Sequence, residues 1–293
     1  MPAAQSKEPL AAVATALRAD TIRSVADAHR VRESAPMRSA IEAVRAAAAG
    51  RPGHRRVGLA VYPGSFNPPS IVHVDIARRV AELDGIDAIW LDMTSHRSQK
   101  LYIDQVLHDR LEMAETACAE LPRCGITKLM AEMGDAGWGA EYFDALQALL
   151  AGVSSSGDGA SSSDAVNISW VIGYDVLEGM QWWKEKARVL LSKCARLVVV
   201  ARGTSAEAEI LGTAEAVMGR PRAEFEAAGL QLVVLLDRTD SYKRTSSSAI
   251  RRHLVALLDL VPLPVLRRIV SDDGLISFYR SIHAEKDANA AGA

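Results

Sequence analysis

From Val57 onward, short apolar runs alternate with stretches whose apolar positions recur every three or four residues. RVGLAVYPG, IDAIWLDMT, NISWVIGYDVL, ARLVVVARG and QLVVLLDRT are short, apolar and bounded by turn formers, a pattern that predicts strands. ITKLMAEMGD is a weaker strand candidate. IVHVDIARRVAEL, QVLHDRLEMAETACAEL, AEYFDALQALLAG, QWWKEKARVLLSKC and SSSAIRRHLVALLDL carry helical spacing. Strands that are apolar throughout, with helices between them, predict a parallel sheet covered on both faces.

Two parts break that rhythm. In residues 1–56, LAAVATALRADTIRSVADAHRV and SAIEAVRAAAAG predict two helices with thin Ala-rich faces, ended by GRPG. They form a helical extension to a main domain expected over residues 57–283. Residues 152–167, GVSSSGDGASSSDAVN, are too rich in Ser and Gly to bury a core and are expected to be a disordered surface insertion. Residues 284–293 are expected to be a flexible tail.

Composition changes this picture little. The chain has 293 residues, 49% apolar and 24% charged, ordinary for a globular protein with a sizeable core. A net charge of −2 gives no global attraction to nucleic acid or to an anionic membrane, so neither is an expected partner. No apolar run approaches the roughly 20 residues that span a bilayer. The Ala- and Arg-rich start would suit an organelle transit peptide, but Glu8, Asp20 and Asp27 count against it. The expected location is intracellular, cytoplasm or nucleus, with an organelle still open. Cys118, Cys124 and Cys194 are odd in number and lack CxxC spacing, which fits reduced thiols rather than a disulfide framework or a zinc site.

Candidate chemistry is concentrated where the first strand meets the first helix, in GLAVYPGSFNPPSIVHVDIARRV. In an open parallel sheet, ligands lie beyond the carboxyl ends of the strands. Gly64 would let a phosphate approach the backbone. The N–H groups around Ser65 and Phe66, with the N-terminus of the next helix, would attract phosphate oxygens. Pro68 and Pro69 stiffen the loop, and His73 falls in the first helical turn. Taken alone, the stretch reads equally as a stiff turn before an incidental surface histidine. A second candidate is KRTSSSAIRRHL, whose serines would cap a helix and, with Lys243, Arg244 and Arg251, grip a polyphosphate. By itself it reads as a capped surface helix. There is no GxxxxGK[ST] loop, no GxGxxG after a strand and no HExxH, so a P-loop motor, a nicotinamide-dependent dehydrogenase and a zinc peptidase are not expected.

Together the two motifs are far more specific. GSFNPPSIVH followed by TSSSAIR resembles the HxGH-type nucleotidyltransferase superfamily, and within it the nicotinamide/nicotinate mononucleotide adenylyltransferases. VIGYDVLEGMQWW, LVVVAR ending in Arg202, Lys100 followed by RLEM at Arg110, and DLVPLPVLRRIVSDDGLISFY are similar to further motifs of that group. The similarity spans residues 57–280. Ser70 stands where many members have His and some have Thr, and Val72 replaces the Gly of HxGH.

This resemblance implies a Rossmann-like α/β phosphodiesterase-type fold and in-line adenylyl transfer from ATP, as its Mg²⁺ complex, to nicotinamide or nicotinate mononucleotide. It implies that His73, Ser248 and Arg251 carry the reaction. Gly64, Ser65, Phe66, Ser70, Gly173, Asp175, Arg202 and Ser246 would join them in holding ATP. Ser65, Phe66, Lys100, Trp138 and Trp182 would face the mononucleotide. Arg110 would attract its phosphate, and His96 and Arg97 lie on the loop after the second strand. Asp175 reads alternatively as a helix cap, and Trp182 and Trp183 divide between core and pocket. Cytidylyl transfer, pantetheine-phosphate adenylyl transfer and a non-catalytic nucleotide-binding regulator are the competing expectations. Homo-oligomerisation is left open.

Overall fold

The computed structural model describes residues 41–42, 44, 56–94, 107–133, 139–150, 166–201, 206–236, 260–272, 275 and 277. The second predicted phosphate motif, residues 152–165 of the Ser/Gly-rich stretch and nearly all of the N-terminal extension lie outside these residues. The last two residues of that stretch, Val166 and Asn167, are not part of a disordered insertion, since Val166 is buried and Asn167 opens a strand.

Six strands form one parallel sheet, with helices between them. The elements are β1 (Gly58–Gly64), α1 (Ile71–Ala81), β2 (Ala88–Met93), α2 (Leu107–Cys118), β3 (Cys124–Thr127), α3 (Leu129–Met133) and α4 (Ala140–Leu150). They continue with β4 (Asn167–Gly173), α5 (Tyr174–Met180), a 3₁₀ turn (Gln181–Trp183), α6 (Lys184–Leu191), β5 (Arg196–Val200), α7 (Glu207–Met218), α8 (Arg222–Ala227), β6 (Gln231–Leu235) and α9 (Leu263–Ser271). The order across the sheet is β3-β2-β1-β4-β5-β6, so the winding reverses between β1 and β4. No helix among the described residues is long and apolar enough to cross a membrane.

The central strands β1, β2, β4 and β5 are buried on both faces because each carries apolar side chains on alternating sides. Leu59, Val61, Trp90, Ile168, Trp170, Leu197 and Val199 face one core, and Ala60, Tyr62, Ile89, Leu91, Val171, Val198 and Val200 face the other. Ile41 and Val44, helical residues of the N-terminal part, are buried in the first of these cores. A third apolar cluster, Met113, Val261, Val265, Ile269 and Leu275, joins α2 to α9. Arg268 of α9 reinforces it by donating to Asp109 at 3.1 Å and pairing with Glu112 of α2.

The observed elements differ from the expected ones in several places, among them α9, which was not expected. The weak strand ends at Thr127, and LMAEM is helical: Thr127 Oγ1 accepts from the Leu129 N–H at 3.2 Å and starts that turn. The strand read through NISWVIGYDVL stops at Gly173, where the chain turns straight into α5. The helix read over QWWKEKARVLLSKC begins only at Lys184, after a 3₁₀ turn through Gln181–Trp183. Helices α7 and α8 were not expected at all; AEAEILGTAEAVM offers only a thin apolar stripe of Ile210, Ala214, Val217 and Met218.

The sheet is not stitched evenly. β1 stays in register with β2 up to Gly64–Met93, and β4 with β5 up to Gly173–Val200. The β1–β4 register ends at Val61–Trp170, three residues short of the carboxyl end of either strand. Continued at the same offset, Gly64 would stand level with Gly173. The two central strands therefore part where the winding reverses, which is where open α/β sheets hold ligands.

Candidate active site

The loop after β1 is built around three aromatic rings. Phe66 adopts a left-handed backbone conformation (φ 40°) and is buried. Its ring meets Tyr62 edge-on at 5.3 Å between centroids and His73 edge-on at 5.1 Å. The same ring occupies the space above Gly64: a Cβ there would lie 2.8 Å from the ring. Gly64 was expected to leave room for a phosphate; in the structure its missing side chain leaves room for Phe66.

Ser70 and His73 form a single unit. Ser70 is the N-cap of α1, and the His73 N–H approaches its hydroxyl at 3.4 Å. In return, the Ser70 N–H donates to His73 Nδ1 at 3.0 Å, and the Ser70 hydroxyl lies 2.8 Å from the same nitrogen. This is a capping box in which histidine takes the third-position role usually filled by Glu or Gln. Because Nδ1 accepts, the ring proton resides on Nε2, and the imidazole presents a neutral N–H donor. Ser70 was expected among the groups holding ATP. The structure buries it completely and commits its hydroxyl to the helix cap and to His73.

Arg110 was expected to meet a substrate phosphate. It is instead fully buried, and its Nη1 donates to the carbonyls of Ser65 at 2.7 Å and Thr94 at 2.9 Å. The Thr94 N–H in turn donates to the Gly64 carbonyl at 3.0 Å. One guanidinium on α2 thus fixes the floor of the loop to the end of β2, and α9 backs α2 from behind.

Across the split, Gly173 is the N-cap of α5 and Asp175 lies exposed in its first turn. A carboxylate there suits the positive end of the helix, but Asp175 is not its cap: Gly173 holds that position and no side chain caps it. Tyr174 holds this corner by pairing its hydroxyl with Thr213 at 3.0 Å and donating to Glu209 at 3.3 Å, both on α7. Of the adjacent tryptophans, Trp183 packs against the core, whereas Trp182, the one expected to face the mononucleotide, is 91% exposed. The 3₁₀ turn separates the two rings by turning one in and the other out.

Lys100, Trp138, Arg202, Ser246, Ser248 and Arg251 lie outside the described residues, as do His96 and Arg97. Among the described residues, no group of three or more His, Cys, Asp or Glu is placed to hold a metal ion. All three cysteines are free, and Cys118 and Cys194 are buried.

One buried group had drawn no attention in the sequence. Asp92, near the carboxyl end of β2, is fully buried, and both its oxygens accept from the Met130 N–H at 3.2 Å. The Tyr142 hydroxyl donates a short hydrogen bond to Oδ2. Burial, opposed in part by these bonds, pushes the Asp92 carboxyl up to about 7. Its folded value lies above that of an unfolded Asp, so the group weakens the fold as pH rises from about 4 towards 7, and the penalty is complete above that.

A doubly wound parallel sheet, split at its reversal point and carrying a Ser–His cap on one lip, has the cleft in which open α/β sheets hold ligands. The profile of the cytidylyltransferase-like family matches residues 61–253, and the chain belongs to that family. A probable nicotinate-nucleotide adenylyltransferase of Ruegeria pomeroyi is 27% identical over 140 residues, covering 48% of this chain and 57% of that protein. The match therefore spans little more than half the length of this relative. A phosphopantetheine adenylyltransferase of Acidovorax sp. is 35% identical over 65 residues, covering 22% of this chain and 37% of that protein. The fold also superposes on Plasmodium falciparum nicotinic acid mononucleotide adenylyltransferase complexed with NaAD. The TM-score is 0.53 at 15% identity, over 74% of this chain and 96% of that one.

Proposed function

We propose that this protein transfers the adenylyl group of ATP to nicotinate or nicotinamide mononucleotide, giving a dinucleotide and pyrophosphate. The observation that carries this reading is the His73 ring, its Nδ1 held by the Ser70 N–H, in the helix that follows β1 at the split between β1 and β4. An oxygen of the mononucleotide 5′-phosphate attacks the α-phosphorus of ATP. The bond from that phosphorus to the bridging oxygen breaks, and pyrophosphate leaves with the electron pair. No protein nucleophile is required. The site must align the two phosphates and stabilise the charge that builds on the oxygens.

His73 Nε2–H donates to an α-phosphate oxygen, and the Ser65–Phe66 backbone lines the same face. Gly173 and Asp175 shape the adenosine side. Ser246, Ser248, Arg251 and Arg202 are proposed for the departing phosphates and adenosine, and Lys100 and Trp138 for the mononucleotide. Mg²⁺ is proposed to enter with the triphosphate as part of the substrate. The names of the Ruegeria relative and of the structural neighbour support the pyridine mononucleotide as acceptor. The Acidovorax match supports a second reading, with 4′-phosphopantetheine as acceptor.

Pyrophosphate release decides between them. With MgATP, nicotinate or nicotinamide mononucleotide is expected to give steady turnover, and phosphopantetheine or replacement of ATP by CTP a rate lower by about a hundredfold or more. Turnover with phosphopantetheine alone would establish the second reading, and binding of mononucleotide with no release would make the protein a regulator.

Ser70→Ala removes the cap and one of the two groups held against Nδ1. It is expected to lower stability by about 1 kcal/mol and turnover by roughly tenfold, while Ser70→Thr retains most of both. Chemical denaturation and steady-state kinetics on the two variants check this; equal kinetics in Ser70→Ala and the parent would remove Ser70 from the site.

A further inference from the structure

Resting on the pyridine-nucleotide reading, we infer that Asp92 is a positioning residue that sets the mononucleotide side of the site. Its carboxylate gathers three elements at one point: β2, which carries it, α3 through Met130, and α4 through Tyr142. The first turn of α3 is fixed a second time, from β3, by the Thr127 hydroxyl. Glu132, paired with Lys128 at 2.7 Å, is the other acidic group felt by Asp92.

The location gives this knot its significance. Asp92 stands in register with Pro63 of β1 on one side and Thr127 of β3 on the other, one residue before the end of β2. The ends of β2 and β3 lie roughly 5 and 10 Å from that of β1, away from β4. If adenosine occupies the Gly173–Asp175 side, the second substrate must use the β2–β3 side. The knot fixes the strand ends and helix starts that form that ledge. A buried carboxyl is a costly way to fill a core. What it supplies here, and an apolar side chain could not, is one acceptor site shared by an N–H and a phenol from two consecutive helices.

Asp92→Asn and Tyr142→Phe test the assignment. Both are expected to raise KM for the mononucleotide, about tenfold for Asp92→Asn and less for Tyr142→Phe, with KM for ATP within about twofold of the parent. A purely structural role would lower the thermal midpoint and the amount of active enzyme but leave both KM values alone. That result overturns the inference, as does a parallel rise in the two KM values. Should Asp92→Asn fail to fold, Tyr142→Phe, which deletes one hydroxyl, decides alone. An inert parent defeats the functional reading and this inference together. An active parent with unmoved mononucleotide KM defeats only the inference.

Discussion

Replacing His73 by Ala is expected to reduce turnover by about 10²–10⁴-fold while the protein stays folded. The size follows from what the ring does: a preset donor to a non-bridging oxygen acts where charge increases in the transition state. The variant also loses the acceptor for the Ser70 N–H, which costs about 0.5–2 kcal/mol of helix-cap stability. His73→Gln separates the two effects. Gln at this position completes an ordinary capping box, so stability should return, yet it lacks the imidazole donor and turnover should stay low. Pyrophosphate release and thermal unfolding measured on the same samples check this. Full activity in either variant would strip His73 of a chemical role.

The second large effect concerns Gly58, at the opposite end of β1. A Cβ built there would lie 1.7 Å from the Gly85 carbonyl oxygen and 2.8 Å from its carbon. Both are backbone atoms and cannot swing aside. Gly85 itself sits at φ 78°, so the turn has little freedom to rearrange. The contact is locked further: the Gly58 N–H donates to the buried Asp87 carboxylate at 2.7 Å, and the Asp87 N–H donates back to the Gly58 carbonyl at 2.7 Å. Relief means moving the start of the central strand and breaking both bonds. Gly58→Ala is therefore expected to cost about 3 kcal/mol or more, a fall of about 10 °C in the unfolding midpoint. An unchanged midpoint by calorimetry would mean the turn yields more easily than its geometry indicates.

The loop and its histidine could be read in the sequence because turn formers between an apolar run and an amphipathic helix leave few alternatives. The order of the strands could be read no further than a parallel sheet. The split between β1 and β4 depends on register, which apolar runs buried on both faces do not encode. Arg110 was misread for a definite reason. An arginine on an amphipathic helix normally faces water, and nothing local reveals two inward-facing carbonyls from separate loops. Asp92 escaped notice because a lone Asp at the end of an apolar run looks like a turn former. Its partners, Met130 and Tyr142, are 38 and 50 residues away. The contact of Gly64 with Phe66 was not legible, since an aromatic ring two residues on is a neighbour only after the loop has folded. Which of Trp182 and Trp183 turns inward depends on a 3₁₀ turn that helical periodicity does not foresee.

The uneven stitching of the sheet has a mechanical consequence. The β1–β4 seam closes at Val61–Trp170, three residues before the carboxyl ends of both strands, while the flanking β1–β2 and β4–β5 seams run on to Gly64–Met93 and Gly173–Val200; at that end the sheet opens into two edges. A dinucleotide lying across that opening, with one nucleoside over each edge, would be a rivet where the backbone supplies none.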